Sequence, residues 1–356
     1  MKERRALDLR PMRLLFIKLK HIGDALLLTP TLKAVRETYP QSEIWVVVRQ
    51  GTEGILEGCP YMDRLITASS PEKGRRGLMD RVRQIQMTWK LRQEHFDYAF
   101  ELSDGDRGRW LAGLSGAKER VATSHYVRLN WSARRAITRF SDTPWTQAHR
   151  VEKDYQLVRE CLPLPEIIPG LVFDKDRSRL PAVFPGWTKF AVMHPGTRWR
   201  RKQWPLANWI EVGRHLLSRG LRLMVSAGPD AEERAMASEI CSALGEGAMS
   251  TNGQASWAEL AGLLHQAALF VGVDTAAMHL AAACQCPTVA IFGPSIPTFW
   301  RPWKTQHRLI FAPESAAALK RPDFLEAVSQ TSAATAPLSE VLDACEAILS
   351  SHPALA

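Results

Sequence analysis

The sequence lacks the features of several common protein classes, and disulfide chemistry is the first of these. Six cysteines are scattered through 356 residues, which is too sparse for the disulfide framework of a small secreted protein. Two of them, Cys284 and Cys286, are separated by a single residue, but no second Cys or His pair completes a zinc site. We therefore expect reduced thiols, a cytoplasmic location and no structural zinc.

Long apolar runs are also missing. No stretch is long and apolar enough to predict a membrane-spanning helix. Near the amino end, Lys18 and Lys20 interrupt the apolar run, so it does not resemble the core of a signal peptide. The sequence has no G-x-G-x-x-G, G-x-S-x-G or Walker motif, which argues against a nicotinamide dehydrogenase, an α/β-hydrolase and a P-loop NTPase.

Excess positive charge is absent from one half of the chain and concentrated in the other. Residues 1–160 hold 29 Lys and Arg against 20 Asp and Glu, whereas residues 161–356 hold 17 of each. This excess suits an anionic membrane surface, and we hypothesise peripheral attachment to one. A pI near 9.4 also suits nucleic acid, but no nucleic-acid-binding motif is present, so we expect no nucleic acid. The candidates for the membrane contact are Arg75, Arg76, Arg81, Arg83, Trp89 and Trp110.

The most informative segment is LFVGVDTAAMHLAAACQCPTVAIFGP, residues 269–294. Its composition predicts a strand, a helix and a second strand, at 269–273, 276–283 and 288–292. In a parallel β-α-β unit, Asp274 and Thr275 then lie where a strand ends and a helix begins, a position that attracts phosphate. His279 shares the helix face of Thr275. The alternative is that Asp274 or Thr275 only caps the helix.

A second candidate phosphate site is HPGTRWRRKQWP, residues 194–205. It follows a predicted strand at 190–193, turns at Pro195-Gly196, and precedes a helix predicted at 206–217. Thr197 supplies a hydroxyl, and four cations follow it, a set that suits a diphosphate. Those cations are Arg198, Arg200, Arg201 and Lys202. A solvated basic loop is the alternative, because exposed Arg and Lys usually need no partner.

A third junction of this kind lies near the amino end. An apolar strand at 14–17 leads through HIGD into a predicted helix whose apolar positions share one face. Gly23 permits a tight turn, and Asp24 is either the N-cap of that helix or a carboxylate held at the edge of a cleft as general base.

These segments together resemble the ADP-heptose:lipopolysaccharide heptosyltransferases, glycosyltransferase family 9. The resemblance is carried by KHIGDALLLTP, HPGTRWRRKQWP, SAGPDAEERA, FVGVDTAAMHLAAA and IFGPSIPTFWRPW, in the family's order and spacing, from about Met12 to about Trp303. The FWRPW stretch is most similar to the type III heptosyltransferases. One departure is that the family's acidic residue after GP falls on Ala231, with Glu232 beside it.

The resemblance implies an α/β protein of two Rossmann-like domains facing across a cleft, the GT-B type. It implies inverting transfer of L-glycero-D-manno-heptose from ADP-heptose to the inner-core glycolipid of a lipopolysaccharide precursor, as a branch on the second heptose. The location implied is the cytoplasmic face of the inner membrane, to which the protein binds peripherally, and no cofactor is expected beyond the donor substrate.

Residue roles follow from the same resemblance, position by position. Asp24 corresponds to the catalytic base and Lys202 to the residue that assists the departing diphosphate. The donor contacts implied are Thr197, Lys202, Gly228, Asp230, Asp274, Thr275 and His279. The acceptor contacts implied are Lys20, His21, Gly23, Asp104 and Arg107.

A D-x-D pattern at Asp104-Gly105-Asp106 raises the question of a metal, because many glycosyltransferases hold a divalent ion with this spacing. It lies far in sequence from the donor motifs, and Lys202 with helix amino ends can neutralise a diphosphate alone. We therefore predict no metal and assign Asp104 to acceptor hydroxyls, with a capped turn as the alternative.

The length suits two domains, because single cores stop growing at roughly 250 to 300 residues. Proline, glycine and charge concentrate near residues 161–187. We predict an acceptor domain at 1–165, a linker at 166–187, a donor domain at 188–335 and a terminal helix at 336–356 that packs back on the first domain, as the resemblance suggests. Another nucleotide sugar as donor, or a noncatalytic relative that binds acidic glycolipid, remain the alternative functions.

Overall fold

The structure is a computed structural model, and it describes residues 11–69, 77–124, 131–144 and 146–351, without the side chain of Arg81. These residues form two compact units, the first made of 11–69, 77–124, 131–144 and 151–169 and the second of 146–150 and 170–351. Arg75 and Arg76, two of the candidates for membrane contact, lie outside the described residues.

The first unit contains one parallel six-stranded sheet of order β3-β2-β1-β4-β5-β6. Its central strands are continuous apolar runs because helices cover both faces of a parallel sheet. Five successive residues of β2, Ile44 to Val48, are fully buried. The strands are β1 Arg13–Lys18, β2 Glu43–Arg49, β3 Arg64–Ala68, β4 Tyr98–Glu101, β5 Glu119–Thr123 and β6 Arg139–Ser141.

In the described part of the first unit, six helices accompany this sheet. They are α1 Ile22–Leu26, α2 Thr29–Thr38, α3 Leu78–Gln93, α4 Asp106–Leu114, α5 Trp131–Arg135 and α6 Arg150–Arg159. The single helix predicted after Asp24 is therefore wrong, because the chain forms two helices there. Pro30 is the second residue of the second helix, in the first turn, where its missing N–H costs nothing.

The second unit repeats the architecture with strand order β12-β11-β10-β7-β8-β9, again all parallel. Its strands are β7 Phe190–His194, β8 Arg222–Val225, β9 Ala248–Ser250, β10 Leu269–Val273, β11 Thr288–Phe292 and β12 His307–Phe311. The β-α-β unit predicted at 269–292 is confirmed residue for residue.

The helices of the second unit lie between these strands in the chain and close its carboxyl end. They are α7 Leu206–Ser218, α8 Ala231–Leu244, α9 Trp257–Leu264, α10 Ala276–Ala283, α11 Pro297–Trp300, α12 Pro313–Ala318, α13 Phe324–Ser329 and α14 Leu338–Ser350. Short 3-10 turns stand at Glu53–Ile55, Lys175–Arg177, Arg200–Lys202 and Gly245–Gly247.

The boundaries of the units differ from the sequence expectation in two places. Residues 170–187, taken as linker, belong to the second unit, where Phe173 is buried and the Arg179 N–H donates to the Ala258 carbonyl. The terminal helix α14 is also grouped with that unit, and its packing against the first domain stays a prediction. Its apolar residues Val341, Cys345 and Ile348 complete the core beside α7 and β10 to β12.

None of the described helices is long and apolar enough to cross a membrane.

Candidate active site

In the second unit the order of the strands reverses between β7 and β10. The chain runs outward from β7 through β8 to β9, then returns to add β10 on the other side of β7. The carboxyl ends of these two strands therefore lie side by side, which is where doubly wound sheets bind ligands. β7 ends at His194, before the HPGT loop, and β10 ends at Val273, before Asp274.

Lys202 and Asp274 join these two loops. The Lys202 Nζ donates to Asp274 Oδ2 at 2.7 Å and to the Asp274 carbonyl at 2.9 Å. Burial alone would raise the pKa of Asp274, but the charge of Lys202 and the nearby His279 outweigh it, and the pKa is lowered. Asp274 is thus held ionised and fixes a cation at the strand ends.

Thr275 stands at the N-cap position of α10, yet its side chain makes no capping hydrogen bond. Its Oγ1 is buried and has no partner among the described residues. The alternative that Thr275 only caps the helix is not realised. A buried hydroxyl at a helix amino end without a partner is a group that a phosphate oxygen can satisfy.

His279 lies one turn further along α10 and is 4% exposed. Its Nε2 is 3.9 Å from Asp274 Oδ1, so the carboxylate lies between a lysine and a histidine. The structure therefore brings Lys202, Asp274, Thr275 and His279 together, four of the residues implied as donor contacts.

The FWRPW stretch reaches the same place through α11. The Trp300 ring lies 6.5 Å from the His279 ring, and the Arg150 guanidinium lies 4.3 Å from the Phe299 ring and 5.4 Å from Trp300. His149 stacks on Trp303 at 4.7 Å, and burial lowers the pKa of His149 to about 3. Residues 146–150 belong to this unit, and nothing in their local sequence predicts that.

The basic loop after β7 divides its cations between different tasks. Thr197 Oγ1 accepts a hydrogen bond from the Trp199 N–H at 3.3 Å. Arg201 donates to the Ser329 carbonyl at 2.7 Å and to Gln330 at 2.9 Å, so it ties the loop to α13. Arg198 and Arg200 are exposed. Of the four cations, Lys202 is the one bound to the carboxylate at the strand ends.

Glu233 is a residue of this region that sequence reasoning missed. Its Oε2 accepts a hydrogen bond from the Gly228 N–H at 2.9 Å. A Cβ at Gly196 or Gly228 would stand 2.5 or 2.6 Å from that oxygen, so both glycines make room for the carboxylate. Asp230 is exposed and caps α8 by accepting from the Glu232 N–H at 2.9 Å. The signal was the second Glu of the EER in SAGPDAEERA, which is the residue after Glu232.

In the first unit the strand order reverses between β1 and β4, and Asp24 follows β1. Asp24 occupies the third position of α1, not the N-cap, and is 5% exposed. Its Oδ2 accepts from the His21 N–H at 3.2 Å, whereas Oδ1 has no hydrogen-bond partner among the described residues. Gly23 is buried beside it. One carboxylate oxygen is therefore left for a proton donor.

Asp104 follows β4 at the same edge and is enclosed by lysines. Its Oδ1 accepts from Lys153 and its Oδ2 from Lys20 at 3.1 Å. Burial would raise the pKa of Asp104, but Lys153, Lys20 and Lys18 lower it far below its usual range. Its φ of 56° is a left-handed conformation that Asp tolerates better than most residues. Direct binding of an acceptor hydroxyl by Asp104 stays a prediction.

A second lysine-carboxylate pair lies beneath this edge and was also missed. Lys18 Nζ is 2.5 Å from Asp154 Oδ2 and donates to the Leu102 carbonyl at 3.0 Å, with both side chains buried. Burial lowers the pKa of Lys18, but Asp154, Asp24 and Asp104 outweigh it and raise the pKa. Arg107, by contrast, is exposed and bonds to the Ser69 carbonyl.

Within the described part of the chain, no group of three or more His, Cys, Asp or Glu side chains is placed to hold a metal ion. The two aspartates of the D-x-D pattern lie in different environments, because Asp104 is enclosed by lysines while Asp106 is exposed in the first turn of α4. Independence from metals stays a prediction.

Two doubly wound α/β units, each with a lysine paired to a buried carboxylate near the edge where its strand order reverses, define a two-domain Rossmann-like protein. The sequence profile of glycosyltransferase family 9 (heptosyltransferase) matches residues 85–328. The chain belongs to this family and is a glycosyltransferase.

Relatives and solved structures agree with this assignment. Lipopolysaccharide heptosyltransferase 3 of Escherichia coli K12 is 26% identical, over 80% of this chain and 83% of its own length. Lipopolysaccharide heptosyltransferase 1 of Pseudomonas aeruginosa is 29% identical, over 81% and 80%. The structure of E. coli heptosyltransferase WaaC with ADP is 19% identical and covers 95% of this chain and 100% of its own, with a TM-score of 0.79. This likeness confirms the GT-B fold class.

Proposed function

We propose that this protein transfers L-glycero-D-manno-heptose from ADP-heptose to the inner core of a lipopolysaccharide precursor, with inversion at the anomeric carbon. The observation that carries the proposal is the joining of the HPGT and Asp274-Thr275 loops by Lys202 at the strand ends of the second unit. Membership of the heptosyltransferase family and the lipopolysaccharide heptosyltransferases among the relatives support the choice of sugar and acceptor.

The donor diphosphate binds Lys202, the Thr275 hydroxyl and the amino end of α10. The fixed ammonium and the unsatisfied hydroxyl are oriented before the ligand arrives, so they need little reorganisation as charge develops on the departing ADP. Thr197, Gly228 and Asp230 complete the donor contacts, with His279 against the sugar. A lysine and a helix amino end supply this positive charge without a metal ion.

On the acceptor side, Asp24 removes the proton from a heptose hydroxyl as that oxygen attacks the anomeric carbon. Its Oδ1 has no hydrogen-bond partner in the described structure and is the basic atom. The new glycosidic bond forms as the bond to ADP breaks on the opposite face, and the proton remains on Asp24. Positioned base catalysis of this kind contributes roughly 10² to 10⁴ in rate.

Lys20, His21, Gly23, Asp104 and Arg107 are proposed to bind the acceptor glycolipid. Lys20 is fixed by Asp104, so it presents a held cation to acidic sugars or phosphates. The similarity of FWRPW to type III enzymes supports the second heptose of the core as the branch point. A lipid-linked acceptor brings the protein to an anionic inner-membrane surface on the cytoplasmic side, as a peripheral protein.

The test is ADP release from ADP-heptose by the purified protein, with and without a core acceptor truncated after its second heptose. Asp24→Asn should lower turnover roughly 10²-fold or more while ADP affinity, measured by calorimetry, stays near wild type. Asp343→Asn, on the exposed side of α14, is the matched control and should behave as wild type. Addition of EDTA should leave the rate unchanged.

Two outcomes would contradict the proposal. Turnover with a different nucleotide sugar, but none with ADP-heptose, would make the chain a transferase of the same fold with another donor. Tight binding of the glycolipid without turnover by any nucleotide sugar would make it a noncatalytic relative.

A further inference from the structure

Helix α3 of the first unit carries apolar side chains on the side that faces away from the core. Leu78 is 78%, Ile85 68% and Trp89 63% exposed, and Val82 is also exposed. Their spacing places all four within an arc of roughly 60° on the helix. We call Leu78, Val82, Ile85 and Trp89 the apolar stripe. Helices of globular proteins bury such a stripe, and this one is presented to solvent.

Cations flank the apolar stripe on both sides. Arg83 and Lys90 lie on one side of it by helical position and Arg92 on the other, and all three are exposed. The only acidic residue of α3 is Asp80, which projects by helical position to the opposite side of the helix. An apolar stripe with tryptophan, bordered by Arg and Lys, is the pattern of a helix that lies in the plane of a membrane interface.

Helix α5 repeats the same chemistry in fewer residues. Trp131 is exposed, and the Arg135 guanidinium stacks 4.0 Å from its ring. Arg134 follows on the same short helix, and Trp110 of α4 is also partly exposed. Indole rings favour the boundary between headgroups and acyl chains, where one side is apolar and the other wet.

We propose that the apolar stripe of α3 inserts into the interface of an anionic phospholipid bilayer, with Arg83, Lys90 and Arg92 against the headgroups. The membrane contact is thereby assigned to one face of α3. The choice of a membrane as the partner rests on the proposed function. The net positive charge of residues 1–160 complements anionic lipid.

A second copy of this chain fits the stripe less well. Two α3 helices packed stripe to stripe would bring their flanking cations together, and like charges across an interface are unfavourable. A lipid surface supplies both an apolar layer for the stripe and negative charge for its borders.

The experiment is flotation of the full chain with vesicles of phosphatidylglycerol and phosphatidylcholine, and with phosphatidylcholine alone. Wild type should float with the anionic vesicles, and high salt should weaken the binding. Ile85→Glu/Trp89→Glu should bind at least roughly 10-fold more weakly, because it places carboxylates in the stripe. Ile167→Glu changes a side chain of the same unit that is 80% exposed but not on α3, and should float as wild type does.

Activity on a water-soluble, delipidated core oligosaccharide separates this inference from the proposed function. The double variant should keep wild-type turnover there, and its thermal unfolding should match wild type. Equal flotation of wild type and the double variant would overturn the assignment of α3. Self-association of wild type that the double variant abolishes, without vesicle binding, would show a homodimer face instead. Vesicle binding without heptosyl transfer would support the membrane contact of α3 and contradict the proposed heptosyltransferase activity.

Discussion

Lys202 lies 2.7 Å from the carboxylate of Asp274, across the two loops that end β7 and β10. Because Asp274 is buried and its pKa is lowered, the pair is an ion pair and not a neutral hydrogen bond. Lys202 donates two hydrogen bonds to Asp274, one to its carboxylate and one to its carbonyl, and an ammonium has three donors. The carboxylate thus orients a cation whose remaining N–H group is free to meet a diphosphate.

Lys202→Met should therefore lose more than a phosphate contact. It leaves the Asp274 carboxylate, with only His279 beside it, where the diphosphate binds, so ADP affinity should fall by about 100-fold. Adding Asp274→Asn removes that repulsion and should restore part of the affinity, about 10-fold. Calorimetric titration with ADP measures both. Lys189→Met, at an exposed lysine of the same unit, is the control. Unchanged ADP affinity with lowered thermal stability would show that Lys202 stabilises the fold and does not bind ADP.

Thr275→Val separates a ligand-binding hydroxyl from a structural one. The Thr275 Oγ1 is buried without a partner, so replacing it by a methyl group should leave stability unchanged or raised. ADP affinity should nevertheless fall by about 10-fold, the value of one hydrogen bond to a charged group. Thr31→Val is the matched control, because the Oγ1 of Thr31 is likewise buried without a hydrogen-bond partner among the described residues. Equal ADP affinity in both variants would remove Thr275 from the donor site.

The sequence predicts the strand ends well because apolar runs and turn residues are local signals. The limits of β10, α10 and β11 come directly from composition. Pairings between distant segments leave no such signal. Nothing near Lys18 names Asp154 as its partner, and nothing near Arg150 places it against Phe299. The same holds for α14, which lies in the core of the second unit, since an amphipathic helix does not specify which core it covers.

Lys18 and Asp154 should show how much such a pair matters to stability. Both are buried, so Lys18→Met leaves the Asp154 carboxylate with only Lys153, 4.0 Å away, and should cost about 3 to 5 kcal/mol. Lys18→Met/Asp154→Leu replaces both charges and should recover most of that loss. Lys118→Met removes the exposed lysine of the pair with Asp97 and should cost about 0 to 1 kcal/mol. Urea unfolding measures all three. A double variant as unstable as the single one would contradict the argument from burial.

Glu101, at the end of β4, should make stability depend on pH near neutrality. Burial and the charge of Asp104 raise the pKa of Glu101 to about 7, against the opposing effects of Arg109, the Ser103 N–H and Lys153. The folded protein then holds this proton more tightly than the unfolded chain. The contribution is fully present below pH 4.5 and is lost as pH rises through about 7. A shift of this size corresponds to a loss of up to about 3 kcal/mol.

Glu101→Gln keeps an oxygen for the Ser103 N–H, which donates to Glu101 Oε1 at 2.8 Å, but it cannot ionise. We expect its urea-unfolding midpoint to decline less than that of wild type as pH rises from about 5 to about 8, because only the carboxyl group must lose a buried proton. Glu326→Gln, at an exposed position, should follow the wild-type curve. Parallel curves for wild type and Glu101→Gln would show that the Glu101 carboxylate is already ionised and stabilised by Arg109 and Lys153. The buried lysines would then neutralise the charge of Glu101 in addition to the charges of Asp104 and Asp154.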